Sequence, residues 1–189
     1  MTTLAGIQGD GWCLLGADSK ASDVDGSYTY LQDPKIFSNG SVLIAGSGAL
    51  RTLNLLRYGW TAPRYRGKTP EEYITRYFIP SLRKKIVESG SEWQKEGEVA
   101  KFDNGLLVAV KGKIFKVSDD YSWETSLSRL YRGGSGGDYA LGAMVVLGGE
   151  NVDTYEKART IIVAAIEAAI ECDLFSGGEI ITQDRKSVV

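Results

Sequence analysis

Residues 1–19 read MTTLAGIQGDGWCLLGADS, and the architecture is decided there. Two short apolar runs, Thr3 to Ile7 and Trp12 to Ala17, flank Gln8-Gly9-Asp10-Gly11. Asp-Gly between such runs signals a hairpin, because a tight turn needs a residue that accepts positive φ. The chain therefore begins inside a sheet. The same pattern recurs downstream after a polar loop. Lys35-Ile36-Phe37 and Val42 to Ala45 flank Asn39-Gly40, and Leu106 to Val110 and Lys113 to Val117 flank Lys111-Gly112.

Between the hairpins the apolar period changes. Leu50, Leu53, Leu55, Leu56 and Tyr58 follow a helical rhythm. Thr69-Pro70-Glu71-Glu72 supplies a capping hydroxyl, a proline at the first helical position and a glutamate three residues after the cap. Tyr73, Ile74, Tyr77, Phe78, Leu82 and Ile86 form the apolar stripe of that helix, which Pro80 should kink and Gly90 should stop. Residues 91–101 are polar and without clear period. Past Gly133-Gly134-Ser135-Gly136-Gly137 comes the small-residue run Tyr139 to Val146. A capping box at Asp153 and Glu156 then opens a long helix to Glu171, with Ala158, Ile161, Ile162, Ala165, Ala168 and Ala169 expected inward. A terminal strand is expected over Glu179 to Thr182. Clustered strands alternating with paired helices predict an α+β fold, a four-layer α/β/β/α sandwich of two antiparallel sheets. The 189 residues suit one domain spanning 1–189.

Composition narrows the chemistry. The 22 lysines and arginines nearly balance 24 aspartates and glutamates, so no global charge draws the chain to nucleic acid or an anionic membrane. No run approaches the length of a membrane span, and residues 1–10 lack the features of a signal peptide, so a cytoplasmic location is expected. The two cysteines, Cys13 and Cys172, are too few for a disulfide framework and read as buried thiols in a reducing compartment. Histidine is absent, which removes Ser/His and Cys/His nucleophile pairs and imidazole-ligated metal sites; no metal or cofactor is expected. A hydrolase must then draw its base from elsewhere. A terminal α-amine has a reference pKa of about 7.7–8.0, so an N-terminal threonine can be nucleophile and base together. Removal of Met1 would expose Thr2 in that role.

Sixteen residues after Thr2 stands Asp18, in Gly16-Ala17-Asp18-Ser19, and Lys35 follows in Asp33-Pro34-Lys35-Ile36. With Gly46-Ser47-Gly48-Ala49, the segment Gly134-Ser135-Gly136-Gly137 before Tyr139-Ala140, and Asp173-Leu174-Phe175-Ser176-Gly177-Gly178, the chain resembles the proteasome β-subunits and HslV peptidases, threonine-dependent N-terminal-nucleophile hydrolases. Together these segments span nearly the whole sequence. The Asp18–Lys35 spacing is one residue longer than usual for the family, the Lys35–Gly46 interval is shorter, and residues 60–101 form a longer helical region.

The resemblance implies that Thr2 attacks the scissile carbonyl with its own amine as base. It implies that Lys35 lies beside the hydroxyl and is oriented by Asp18, and that Ser135, Asp173 and Ser176 hydrogen-bond the amine. Oxyanion and substrate contacts would come from Gly46, Ser47 or Gly48, the alignment being open by one position, and from Ala21 and Ser22. The small or apolar Ala21, Ser22, Ala45 and Gly48 suggest a modestly hydrophobic specificity pocket. The family forms stacked homo-oligomeric rings that degrade peptides or unfolded proteins with an AAA+ ATPase partner; the tail Asp184 to Val189 is not diagnostic for that partner. Two other readings stay open: an inactive proteasome-like shell or scaffold subunit, and a small-molecule amidase.

Overall fold

The computed structural model describes residues 1–23 and 25–186; Val24 and Ser187 to Val189, the end of the tail, lie outside them. Thirteen strands are present among these residues: β1 (Leu4–Gln8), β2 (Trp12–Asp18), β3 (Lys20–Ser22), β4 (Tyr28–Tyr30), β5 (Ile36–Asn39), β6 (Val42–Gly48), β7 (Glu92–Trp93), β8 (Lys101–Phe102), β9 (Asn104–Val110), β10 (Lys113–Val117), β11 (Trp123–Glu124), β12 (Leu130–Gly133) and β13 (Ile180–Lys186). The helices are α1 (Leu50–Tyr58), α2 (Pro70–Tyr73), α3 (Ile79–Glu88), α4 (Gly137–Val146) and α5 (Tyr155–Cys172). No helix among the described residues is long and apolar enough to cross a membrane.

Two sheets form, in the orders β12-β1-β2-β13 and β11-β10-β9-β6-β5, and every pairing in them is antiparallel. Both faces of the central strands are covered, so these strands read as continuous apolar runs, and a period of two assigns their side chains to layers. Along β2, Cys13, Leu15 and Ala17 face the second sheet while Leu14 faces the helices. Along β9, Leu107 and Ala109 face the first sheet, whereas Leu106, Val108 and Val110 turn outward under α1, α2 and α3. The resulting four layers are α4/α5, first sheet, second sheet and α1–α3, the α+β sandwich predicted from the segment order.

Local chemistry explains most boundaries. Gly11 at φ 77° makes the first turn, and Lys111 and Gly112 at 49° and 75° make the third. In the second hairpin Asn39 pairs with Val42, so the loop is Gly40-Ser41 rather than Asn39-Gly40. Asn39 is thereby freed to bind inward: its Nδ2 donates to Leu56 O (2.6 Å) and Trp60 O (3.1 Å), and its Oδ1 accepts from Ala62 N (2.7 Å). Thr69 caps α2 by accepting from Glu72 N at 3.2 Å. Pro80 has no N–H to give the preceding turn, and the expected kink is met by a π-helical turn over Ile74–Phe78.

Four local expectations are corrected. The cap of α5 is Thr154, which accepts from Lys157 N at 3.4 Å, while the Asp153 carboxylate pairs with Lys157 Nζ at 2.9 Å. Ala168 is exposed and Ile166 is buried instead, because at 100° per residue Ala168 lies about a quarter-turn from the stripe of Ala158, Ile162, Ala165 and Ala169. The polar stretches 18–34 and 91–101 contain the short ribbons β3–β4 and β7–β8, which periodicity does not reveal. Cys13 is a buried thiol as expected, with burial holding its pKa well above the usual range, but Cys172 is exposed.

Candidate active site

At one end of the sandwich, ends of strands from both sheets converge. In the first sheet Leu4 pairs with both Ala17 and Gly133. One step beyond that register lie Thr2 and Thr3 on one strand, Asp18 on the next and Gly134-Ser135 on the third. The second sheet contributes Lys35, immediately before β5, and Gly48, the last residue of β6. The turn after α5 brings Asp173 and Ser176 to the same end.

Asp18 and Lys35 form the buried charged centre. Lys35 Nζ lies 2.7 Å from Asp18 Oδ1 and donates also to Lys20 O at 2.5 Å. Asp18 is satisfied on both oxygens: Oδ1 further accepts from Thr3 N (2.9 Å), and Oδ2 from Lys20 N (3.3 Å) and Gly177 N (3.0 Å). Burial lowers the Lys35 pKa below the ordinary lysine value, opposed by the charge and hydrogen bond of Asp18 and by the more distant Asp173. The ammonium is thus held by its partner in a place that disfavours it.

A second network runs from the backbone of Thr2. Thr2 N donates to Ser135 Oγ at 3.3 Å, Ser135 Oγ donates to Asp173 Oδ2 at 2.7 Å, and Ser176 Oγ donates to the same oxygen at 2.6 Å. Ser176 Oγ also lies 2.6 Å from Thr3 Oγ1. Burial pushes the Asp173 pKa up, but the Ser176 and Ser135 hydroxyls and the Phe175 N–H outweigh it and leave it below the usual aspartate value. Asp173 therefore stays ionised at neutral pH and loses its contribution only as pH falls through that lowered value. The glycines of 133–137 have a steric purpose here: Gly134 adopts φ 77°, a Cβ on it would collide with Thr2 O, and one on Gly136 would collide with Thr3 Oγ1.

Thr2 and Lys35 line one cavity of about 420 Å³ together with Ala21, Ser22, Tyr28, Gly48 and Leu53. Ser22 donates its hydroxyl to Phe175 O at 3.2 Å. Asp23 adds a carboxylate to the rim of a lining otherwise expected to be modestly apolar. Gly46 stands apart: its N–H is given to Lys35 O at 3.1 Å, and the space of its missing side chain is filled by Leu53. Ser47 Oγ donates to Gly105 O at 3.3 Å, while Gly48 is exposed to the cavity. With the Met1–Thr2 bond intact, Thr2 N is an amide without basicity, and Thr2 Oγ1 donates to Met1 O at 2.6 Å.

Sequence reasoning missed Thr3, whose signal was only its adjacency to Thr2. It also missed Lys20, which acts through its backbone, and Asn104, which no motif marks.

The fold is HslV-like and of the proteasome type. Thiobacillus denitrificans BPH superposes with TM-score 0.76 at 21% identity, over 99% of each chain. Its complex with epoxomicin gives 0.77 at 20%, over 100% of each chain. Eukaryotic HslV from Trypanosoma brucei gives 0.65 at 20%, over 98% of this chain and 99% of that one. No protein-family model matches the sequence, and no curated protein matches it significantly.

Proposed function

We propose that the chain is a threonine-type endopeptidase subunit whose nucleophile is Thr2 once the Met1–Thr2 bond is cut. The observation that carries this reading is the buried Lys35–Asp18 pair, which shares the end of the sandwich with Thr2 while Thr2 N faces the Ser135–Asp173–Ser176 network. The complex of the similarly folded BPH with epoxomicin lends support.

In this reading the Thr2 hydroxyl gives its proton to the Thr2 amine, and Oγ1 attacks the scissile carbonyl carbon. The Lys35 ammonium disfavours a second positive charge on the amine and stabilises the incipient alkoxide. Collapse of the tetrahedral intermediate returns the proton to the leaving nitrogen and forms an ester on Thr2, which water hydrolyses. Among the three oxyanion candidates, Gly46 has its N–H committed to Lys35 O. Successive N–H groups of a strand point to opposite edges, so the N–H of Gly48 emerges on the side of Gly46, past the end of β5. Gly48 is therefore the assigned donor.

Stacked homo-oligomeric rings, peptide or unfolded-protein substrates, an AAA+ ATPase partner and a cytoplasmic location complete the proposal on the strength of the family resemblance. In the competing reading the chain is a shell subunit whose Thr2 never gains a free amine. Intact-mass measurement before and after a peptide epoxyketone separates the two. The peptidase shows loss of Met1 and one adduct per chain that vanishes in Thr2→Ala, along with peptide hydrolysis; retained Met1 with no adduct overturns it. Cleavage of a small amide but no peptide would favour an amidase.

A further inference from the structure

We infer that Asn104 is a positioning residue for the oxyanion donor, acting through the backbone around Gly48; this rests on the peptidase reading above. Asn104 opens β9 directly opposite Gly48 and is 3% exposed. Its Nδ2 donates to Ser47 O at 2.9 Å and to Ala49 O at 3.2 Å, the carbonyls on either side of Gly48. Two carbonyl acceptors fix the amide orientation, since the flipped amide would set oxygen against oxygen.

The first of these bonds controls the group that matters. Ser47 C=O and Gly48 N–H belong to one planar trans peptide unit and point in opposite directions. Holding the carbonyl toward Asn104 turns the N–H away from it. Asn104 lines the cavity on the far side of Gly48, with Asp103 and Gly105, whereas Thr2 and Lys35 line the near one. The N–H is thus aimed at the side of the nucleophile, and a hydrogen bond on the carbonyl polarises it further. Gly48 itself holds φ 110°, and a Cβ there would collide with Asp103 O, so the peptide plane has no side chain of its own to fix it.

The contrast with Asn39 argues against a purely structural role. Asn39 uses both ends of its amide, joining the end of α1 to the following loop. Asn104 leaves Oδ1 buried with no donor among the described residues. A buried acceptor without a partner is unfavourable, so this side chain is a poor choice for stability alone.

The test compares reactions that do and do not build charge on the carbonyl oxygen. In Asn104→Ala, kcat for a peptide amide should fall about 10- to 100-fold with KM nearly unchanged, somewhat less than the loss of an oxyanion donor itself. Affinity for a peptide aldehyde, which forms a tetrahedral oxyanion, should fall by a similar factor. Alkylation of Thr2 by a peptide vinyl sulfone, a conjugate addition that places no charge on a carbonyl oxygen, should keep its rate and so report an intact site. Asn104→Ser, which retains one donor, should lose less and serves if the alanine variant is unstable. Unchanged kcat, or equal losses in the aldehyde and vinyl-sulfone reactions, overturns the inference alone. A wild-type chain freed of Met1 that never alkylates at Thr2 overturns the peptidase reading and this inference together.

Discussion

The two outer layers of the sandwich close on their sheets with different materials. Over the first sheet, α4 and α5 pack through Ala140, Ala158, Ala165 and Ala169, and α5 sits so close that Gly16 has no room for a Cβ against Ile162 and Ile166. Over the second sheet the layer is large and aromatic: Tyr73, Phe78, Phe102, Phe115 and Tyr121, with Trp60 and Trp123 packed at its edge. Both serve the same alternating strands, which shows that the pattern sets the layers while side-chain size sets how closely they approach. The candidate site draws Thr2, Asp18 and Ser135 from the alanine-packed half and Lys35 and Gly48 from the aromatic half. Its geometry therefore depends on the docking of both.

The largest effect should follow from cutting the Lys35–Asp18 ion pair, which joins the halves. Lys35→Ala should reduce peptide hydrolysis by on the order of 10²-fold or more, as for loss of a key electrostatic contact. Stability should fall by about 3 kcal/mol, the low end for breaking a buried pair, because Asp18 keeps the N–H groups of Thr3, Lys20 and Gly177. Steady-state kinetics and urea denaturation check both; full activity would mean that the halves do not share a site.

A subtler break acts through pH. Burial lowers the Lys35 pKa and Asp18 raises it again, so Asp18→Asn leaves burial less opposed. The ammonium should then discharge at lower pH, and the alkaline limb of kcat/KM should move toward neutrality. In the wild-type protein this lowered pKa means that stability rises with pH between the folded value and that of an unfolded lysine, since the unfolded state binds the proton more tightly there. A pH–rate profile with an unmoved alkaline limb would show that Lys35 is not the titrating group.

The smallest effects should separate the layers themselves. In Gly16→Ala the new methyl meets Ile162 Cγ2 and Ile166 Cδ1, the first fixed by β-branching, so roughly 1–3 kcal/mol of stability should be lost. In Gly46→Ala the methyl meets the outer carbons of Leu53 and Leu106, which can turn aside, so thermal unfolding should shift less. Activity should respond in the reverse order, because the Gly46 N–H holds Lys35 O, so a shift of Gly46 reaches Lys35 as well as Gly48. Equal shifts in the two unfolding midpoints would refute the contrast in packing.

The hairpins at 4–18, 36–48 and 104–117 were legible because their strands and turns are local signals, although the turn of the second falls at Gly40-Ser41, one residue later than its Asn39-Gly40 signal. Thr2, Asp18, Lys35, Ser135, Asp173 and Ser176 were legible only through a resemblance, since each alone is an ordinary residue. Lys20 stayed hidden because it contributes backbone groups, and backbone groups carry no sequence signature. Asn104 stayed hidden because it acts on backbone carbonyls 57 and 55 positions away.

By itself the sequence determined the three hairpins and the long helices, but not the short strands β3, β4, β7, β8, β11 and β12; it also determined the absence of imidazole and the presence of a threonine that could carry its own base. Those are properties of short segments and of composition. Which face of each sheet meets the other, which glycine N–H is spent and which is left at the cavity, and which asparagine holds that peptide plane were decided by tertiary structure. These depend on register between strands distant in sequence, where a one-residue slip would turn every contact to the opposite face.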